Sequence, residues 1–504
     1  MHRSSGFLRA RTTVVVAPLL AFTSACGRIR AANAPTAPRG AVAELRAAID
    51  SMADAPEFAN AHWGILIVDP ESGDTLYSRN AGKLFMPASN MKILTSATIL
   101  DHVGPDFRFR TTVAARGGVS EGTVMGDLLV IGRGDPSVSD HMLKDAMIPL
   151  RAIADSLAAR GVRRVAGRLV ADGNAFPDDV FGFGWSYDDF DFSYSAPIDE
   201  LLFNEGFSVL TVRAGASVGD LVAAETRPAK TFPRLRVTAT TSPPRPPGDS
   251  TRGRGRALRV RKDSTTWETI VEGQIALGDS ATIEITHHDP NTAYLAALRE
   301  ALADRGITVD GAGTDTLARA DTLVTLLSPP LREILPALMK PSQNQIAEML
   351  YKAAGLEETG IGRADSARAV VQRQLAKWGV AAPEVVVRDG SGLSRYDYVS
   401  PRSLVRVLDA MRRSPHFTVY YDAMPIGGVD GTIRSRMRGT AAEGNVHAKT
   451  GSVAMARSLS GYVTTADRRL LIFSFLCNNW TVPVRSVERV QDAITARLAS
   501  MRLR

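Results

Sequence analysis

The sequence predicts an α+β protein whose body is split in the chain by a large β-rich insertion. Three observations predict it. Near the start, Trp63 to Asp69 and Thr75 to Arg79 flank the turn Pro70-Glu71-Ser72-Gly73-Asp74 and read as a β-hairpin. Near the end, Arg457 to Thr464 and Leu470 to Cys477 flank Ala466-Asp467-Arg468-Arg469 as a second hairpin, and Val487, Val490, Ile494 and Leu498 then mark an amphipathic helix. Between them, from Phe107 to Asp289, strand-like runs dominate. The 504 residues exceed one ordinary core, so two or three domains are expected.

Taken in order, the chain opens with Arg3, Arg9 and Arg11 before an acid-free apolar run, Thr12 to Phe22, and then Thr23-Ser24-Ala25. That is a secretory signal over residues 1–25, too short to span a bilayer. Two processing sites stay open. Cleavage before Cys26 would leave a cysteine able to carry lipid and bring the protein to a membrane surface, whereas Ala32-Asn33-Ala34 is a plain signal-peptidase site. Export places the protein in the periplasmic or cell-wall space, as a lipoprotein if Cys26 is modified. Removing Arg3, Arg9 and Arg11 lowers the net charge from +7 to +4, and removing Arg28 and Arg30 as well lowers it to +2. A nucleic-acid footprint is not supported. The other cysteine, Cys477, sits in an apolar run and reads as a buried small residue with no disulfide partner.

Residues 26–40, rich in Ala, Pro and Gly, read as a linker. A first body segment, 41–106, starts with helical spacing at Val42, Leu45 and Ile49. The inserted region, 107–289, is expected to hold strands at 107–113, 127–131, 168–172, 208–213, 234–239, 267–275 and 281–286, with a helix over 150–160. Within it, Ser242 to Lys262 is a run of Pro, Gly and Arg that cannot build a core and reads as a loop. Arg133-Gly134-Asp135-Pro136 reads as a turn between strands, not as an adhesion tripeptide. From 290 to 504 the body resumes, with helical patterns at 294–303, 331–339, 346–351, 364–378 and 403–411.

The chemistry concentrates in three segments. In Met86-Pro87-Ala88-Ser89-Asn90-Met91-Lys92, Ser89 and Lys92 are three apart, so on a helix both side chains leave the same face. A buried lysine there can draw the proton from the hydroxyl, and a helix start favours the developing negative charge. Alone, this spacing equally suits a capped helix start with a solvated lysine. Lys340-Pro341-Ser342-Gln343-Asn344 adds a hydroxyl and an amide, and Ala448-Lys449-Thr450-Gly451-Ser452 adds an ammonium entering a strand. Acyl transfer requires a nucleophile, a base, an oxyanion hole and a proton route to the leaving amine. Ser89 is read as nucleophile, Lys92 as base, Ser342 as proton relay and Asn344 as holding a substrate amide. Lys449 and Thr450 suit a terminal carboxylate.

Ser-x-x-Lys, Ser-x-Asn and Lys-Thr-Gly in this order form the signature of penicillin-recognising serine enzymes. With Gly132-Arg133-Gly134-Asp135-Pro136, Ser195-Ala196-Pro197, Asp389 to Arg395 and Gly428 to Thr432, the chain resembles a specific family: the D-alanyl-D-alanine carboxypeptidase/endopeptidases of the class C low-molecular-mass penicillin-binding proteins. The resemblance implies a penicillin-binding transpeptidase-like domain: an antiparallel sheet with helices on both faces, interrupted by an insertion of two subdomains. It also implies an oxyanion hole from the backbone N–H groups of Ser89 and Ser452, peptidoglycan stem peptides as substrates, β-lactams as inhibitors, and no cofactor. Gln343 stands where the family more often has aspartate, at a tolerant position.

Other candidates are weaker. His287-His288-Asp289 has a metal-ligand look, but neighbouring strand residues face opposite ways and no further ligands follow, so a surface turn and no metal are expected. His447 lies two before Lys449 and reads as a cleft-lining or a structural residue. The glycine-rich turns at 389–395 and 430–432 read as the rim of the cleft. A β-lactamase shares the motifs, but the Glu-x-x-Leu-Asn and Tyr-x-Asn signatures of its classes are missing here. A non-catalytic wall-binding protein on the same scaffold would not require all the motif side chains.

Overall fold

In the computed structural model the described residues are 40–245, 258–263, 266, 268–311 and 320–503. The expected signal peptide, Cys26, the linker before Gly40 and residues 246–257 of the arginine-rich run lie outside them.

One five-stranded sheet organises the body. Its strands are β1 (His62–Asp69), β2 (Asp74–Arg79), β3 (His447–Val453), β4 (Ala456–Thr464) and β5 (Leu470–Asn478), in the order β2-β1-β5-β4-β3. Every neighbouring pair is antiparallel. The first and last hairpins therefore close on each other through β1 and β5, which is why the two ends of the sequence build one sheet.

Alternation of side chains along these strands makes two cores. Ile65, Ile67, Phe473, Phe475 and Cys477 face α1 (Gly40–Ala53) and the last helix, Val484–Ser500. Leu66, Ile472 and Leu476 face the opposite layer, which holds α2 (Met91–Val103), α3 (Leu331–Met339), α4 (Asn344–Thr359) and α5 (Pro401–Arg412). Cys477 is thus a buried core residue, as expected. Helix α2 is buried all round from Met91 to Leu100. A helix without a polar face sits at the centre of a packed layer, so Lys92 is carried into the interior by its own helix.

The insertion has two separate apolar cores. One packs the sheet of strands 320–327, 110–116, 128–131 and 169–172 against helices Met147–Ala159 and Pro290–Ala303. The other joins strands 207–213, 223–227 and 280–286 to a smaller sheet made from 235–237, 259–262 and 269–272. Two expectations change. The body does not resume at residue 290: Tyr294, Leu298 and Leu302 pack in the insertion's core, strand 320–327 pairs with 110–116, and the chain re-enters the body at Leu331. Arg259–Lys262, read as loop, is a strand paired with Thr269–Glu272.

Candidate active site

The turn before α2 sets the site. Ala88 has φ +47°, an uncommon conformation for a residue with a Cβ, and the 3₁₀ turn Ala88–Asn90 places Ser89 just ahead of the helix. The strain is held by neighbours on every side. Ser458 Oγ donates to the Pro87 carbonyl at 2.7 Å, and Asn90 Nδ2 donates to the Lys449 carbonyl at 2.8 Å. Gly392 and Gly451 fit only as glycines: a Cβ on Gly392 would collide with the Ala88 carbonyl, and one on Gly451 would collide with Pro87 and come within 3.0 Å of the Ser89 nitrogen. Strand β3 therefore runs against the backbone of residue 89, with Ser452 exposed beside it.

Lys92 is fully buried, and its Nζ donates to three oxygens: Ser89 Oγ at 2.8 Å, Asn344 Oδ1 at 2.6 Å and the Ser391 carbonyl at 2.8 Å. Burial draws its pKa down to about 7, against the opposing pull of Asp389 and Glu348. Near neutral pH such an amine can accept a proton. Half-buried Ser89 can still be reached from the cleft.

The second motif meets the third. Ser342 adopts φ +69°, and its Oγ accepts from Lys449 Nζ at 2.8 Å. Lys449 also donates to the Thr450 carbonyl at 3.0 Å and is fully buried. Burial depresses its pKa strongly, and the two charges acting on it, Lys92 and Arg457, are both positive. Thr450 Oγ1 donates to Thr432 Oγ1 at 2.7 Å. Ser89, Lys92 and Asn344 thus form one hydrogen-bonded group and Ser342, Lys449 and Thr450 another; the bond from Asn90 to the Lys449 carbonyl ties them, and the Lys92 charge acts on Lys449, although the three motifs come from widely separated stretches of the sequence.

The Asn344 amide differs from the expectation. Its Oδ1 is taken by Lys92, and its Nδ2 donates to the Tyr194 carbonyl at 2.7 Å. Its first task is orienting Lys92, because a short amide on α4 reaches the ammonium directly. The inserted region also reaches the start of this helix nearby: Gln345 Nε2 donates to the Ser193 carbonyl at 3.0 Å, and Gln343 Nε2 to Glu205 Oε2 at 3.0 Å. A segment from the insertion thus lies on the Ser-x-Asn motif.

Three expectations about the surroundings change. The Asp389 loop is no rim: Asp389 and Ser391 are buried, and the Ser391 carbonyl touches Lys92. Asp389 accepts from Gly392 N and Ser394 N, each at 2.7 Å, and from Trp185 Nε1 at 2.9 Å. Thr432 likewise reaches the site through Thr450. His287 is no surface residue: it is 2% exposed, stacks on Phe203, and its Nε2 lies 2.9 Å from Ser208 Oγ. Asp289 caps the helix starting at Pro290. No group of three or more metal-ligating side chains is found among the described residues. His447 is structural, with its ring stacked 3.8 Å from Tyr421 and its Nδ1 3.1 Å from the Tyr421 carbonyl oxygen. Sequence reasoning missed Asn90, Tyr194, Glu348 and Ser391. Only Ser391 carried a signal, its place in the glycine-rich run.

The chain is similar to known proteins. A family model described as the D-Ala-D-Ala carboxypeptidase 3 (S13) family matches residues 45–501. A D-alanyl-D-alanine carboxypeptidase of Actinomadura sp. (strain R39) is 34% identical over 512 residues, covering 98% of this chain and 91% of that protein. The D-alanyl-D-alanine carboxypeptidase DacB of Haemophilus influenzae is 24% identical over 440 residues, covering 84% of this chain and 87% of that protein. The crystal structure of penicillin binding protein 4 from Haemophilus influenzae superposes with a TM-score of 0.75 at 22% identity, covering 91% of this chain and 99% of that one. That likeness establishes the α+β fold.

Proposed function

The chain belongs to the D-Ala-D-Ala carboxypeptidase 3 (S13) family and is a serine peptidase, and from that premise we propose how its site works and on what. The substrate is a peptidoglycan stem peptide ending in D-alanyl-D-alanine, or joined through D-alanine to the diamino acid of a neighbouring strand. One observation carries this reading. The charges acting on the fully buried Lys449 amine, Lys92 and Arg457, are both positive, and its Nζ donates to Ser342 Oγ, two residues before the Asn344 that holds Lys92. A buried cation without a counter-ion is costly, and the carboxylate of a peptide C-terminus supplies the missing charge.

In the reaction, Ser89 Oγ attacks the carbonyl carbon of the scissile amide while Lys92 Nζ takes its proton. The oxyanion that forms lies between the N–H groups of Ser89 and Ser452. Collapse breaks the C–N bond, and the departing amine receives a proton along the Lys92, Ser342 and Lys449 side chains. Water then cleaves the ester on Ser89 and restores the hydroxyl. Asn344 holds Lys92 in line throughout, and Thr450 with Thr432 keeps a hydroxyl beside the carboxylate site. β-Lactams mimic the acyl donor and are expected to acylate Ser89.

Such a substrate lies outside the cytoplasmic membrane, which fits the expected export signal. No helix among the described residues is long and apolar enough to cross a membrane. Lipid on Cys26 is one route to a membrane surface, and the mass of the mature N-terminal peptide decides it. The function itself is tested by mass spectrometry after benzylpenicillin treatment and by release of D-alanine from a D-alanyl-D-alanine peptide. An adduct on the peptide holding Ser89, with both activities lost in Ser89→Ala, is expected. Undiminished hydrolysis in Ser89→Ala removes the reading.

A further inference from the structure

Helix α4 carries a second acidic contribution to the site, one turn beyond Asn344. Glu348 lies four residues on, so it shares Asn344's face. It is 3% exposed, and its carboxylate accepts three backbone N–H bonds from the Asp389 loop: Gly390 N at 3.1 Å to each oxygen and Ser391 N at 2.7 Å. Those bonds fix the peptide units from which the Ser391 carbonyl reaches Lys92 Nζ at 2.8 Å. One helix face thus holds the lysine twice, directly through Asn344 and indirectly through Glu348.

The plain alternative is an intrahelical ion pair with Lys352, four residues further. The geometry rejects it, because Lys352 Nζ is bound by Asp178 and donates to the Asp179 carbonyl. A cavity of about 490 Å³, lined among others by Glu348, Tyr351, Lys352, Arg388 and Asp389, lies on this side. A carboxylate that was only filling space would not spend both oxygens on a loop whose next carbonyl touches the reacting lysine.

We propose that Glu348 is a positioning residue of the reaction, its carboxylate holding Gly390 N and Ser391 N so that the Ser391 carbonyl is set on Lys92. The proposal rests on the reading of Lys92 as the base of Ser89. The charged and titratable groups around Lys92 are Glu348 on α4, Asp389 with Asp397 behind it on the loop, and Lys449 on β3. Asp389 and then Glu348 favour the ammonium, against burial. Tyr351 on α4 stays neutral, its phenol pushed up by burial and then by Glu348. Burial and then Asp389 push Glu348 itself up to about 8, against the N–H donors that favour its ionised form. Its charge is therefore fullest on the alkaline side.

The test is the pH dependence of Ser89 acylation by benzylpenicillin, followed by mass, in the full chain and two variants. In Glu348→Gln the shape stays and the charge goes. The acid limb is expected to move down, because a Ser391 carbonyl no longer held on Lys92 Nζ stops favouring the ammonium, and acylation above it to slow at least about tenfold, because the lysine sits less firmly. Glu348→Asp keeps both acceptor oxygens on a shorter arm, so the limb moves less while the rate still falls. A Glu348→Gln limb coincident with the wild-type one overturns the proposal, whatever the rate. If circular dichroism shows that Glu348→Gln does not fold, Glu348→Asp decides: a wild-type rate there overturns it. Absence of any adduct in the wild type would instead sink the reading of Ser89 and Lys92.

Discussion

Lys92 and Lys449 are both fully buried and both have depressed pKa values, yet the protein surrounds them in opposite ways. Behind Lys92 stand Glu348 and Asp389, and its three hydrogen bonds all go to protein oxygens. Around Lys449 the acting charges are positive, and its bonds go to one hydroxyl and one carbonyl. Burial alone would make both lysines poor cations. The carboxylates make the difference: one lysine is complete without a ligand, the other is completed by an anion from outside. On the proposed reading, a base and an anchor are separated by where the chain puts its acids, not by the chemistry of the side chain.

The largest break in that comparison is Lys92→Met. With the base gone, acylation of Ser89 by benzylpenicillin is expected to fall by about 10³–10⁴, the upper part of the range for a positioned base, measured as the second-order rate of adduct formation. Lys449→Met is expected to act differently. A hydrogen bond to a charged group contributes roughly 1.5–3 kcal/mol, so kcat/KM for a peptide with a free D-alanyl carboxylate should drop about 10- to 150-fold. The same peptide with an amidated C-terminus should change less than about threefold, and equal losses on both peptides would erase the distinction between base and anchor.

The two lysines also separate by pH. Lys92 must be neutral to accept a proton, so with its pKa near 7 the acylation rate is expected to rise through pH 7 and level off above it. Lys449 must be charged to hold a carboxylate. Because its free-state pKa is depressed, binding the anion takes up a proton, and affinity falls as pH rises, by at most about tenfold per unit. Inhibition by a D-alanyl peptide carboxylate, measured across pH, should weaken on the alkaline side, while its amide shows no such trend. A carboxylate affinity independent of pH would mean that Lys449 keeps its proton in the empty site.

Much of the Lys92 side was legible in the chain, because a spacing of three on a helix is a local property that survives any tertiary setting. So was the return of the last hairpin to the sheet of the first, since each is a pair of strand-like runs across a turn. What stayed hidden was non-local. Nothing around Glu348 or Tyr194 marks them, because their partners lie tens or hundreds of residues away and only packing brings them together. The left-handed backbone at Ala88 and Ser342 had no glycine to announce it. His287 was misread for a different reason: the alternation of Ile283, Ile285 and His287 points inward along one strand face, a signal masked by the polar pair His288-Asp289. The helix at 290–303 showed an apolar stripe without showing which core it fills.

The smallest effect sharpens the anchor side by controlling for the strand itself. His447 lies on β3 two residues before Lys449, so the same sheet face presents both side chains. Its ring stacks on Tyr421, and burial holds its pKa below the usual value, which leaves it neutral at neutral pH. A neutral ring bonded to a backbone carbonyl supports the strand but offers an incoming carboxylate no charge. His447→Gln keeps a donor and loses the stacking, so stability is expected to fall by about 1 kcal/mol in urea unfolding, with kcat/KM for the free-carboxylate peptide within about twofold of wild type. If the variant instead matched the Lys449→Met pattern, with loss confined to the carboxylate-bearing peptide, the anchor would include both residues.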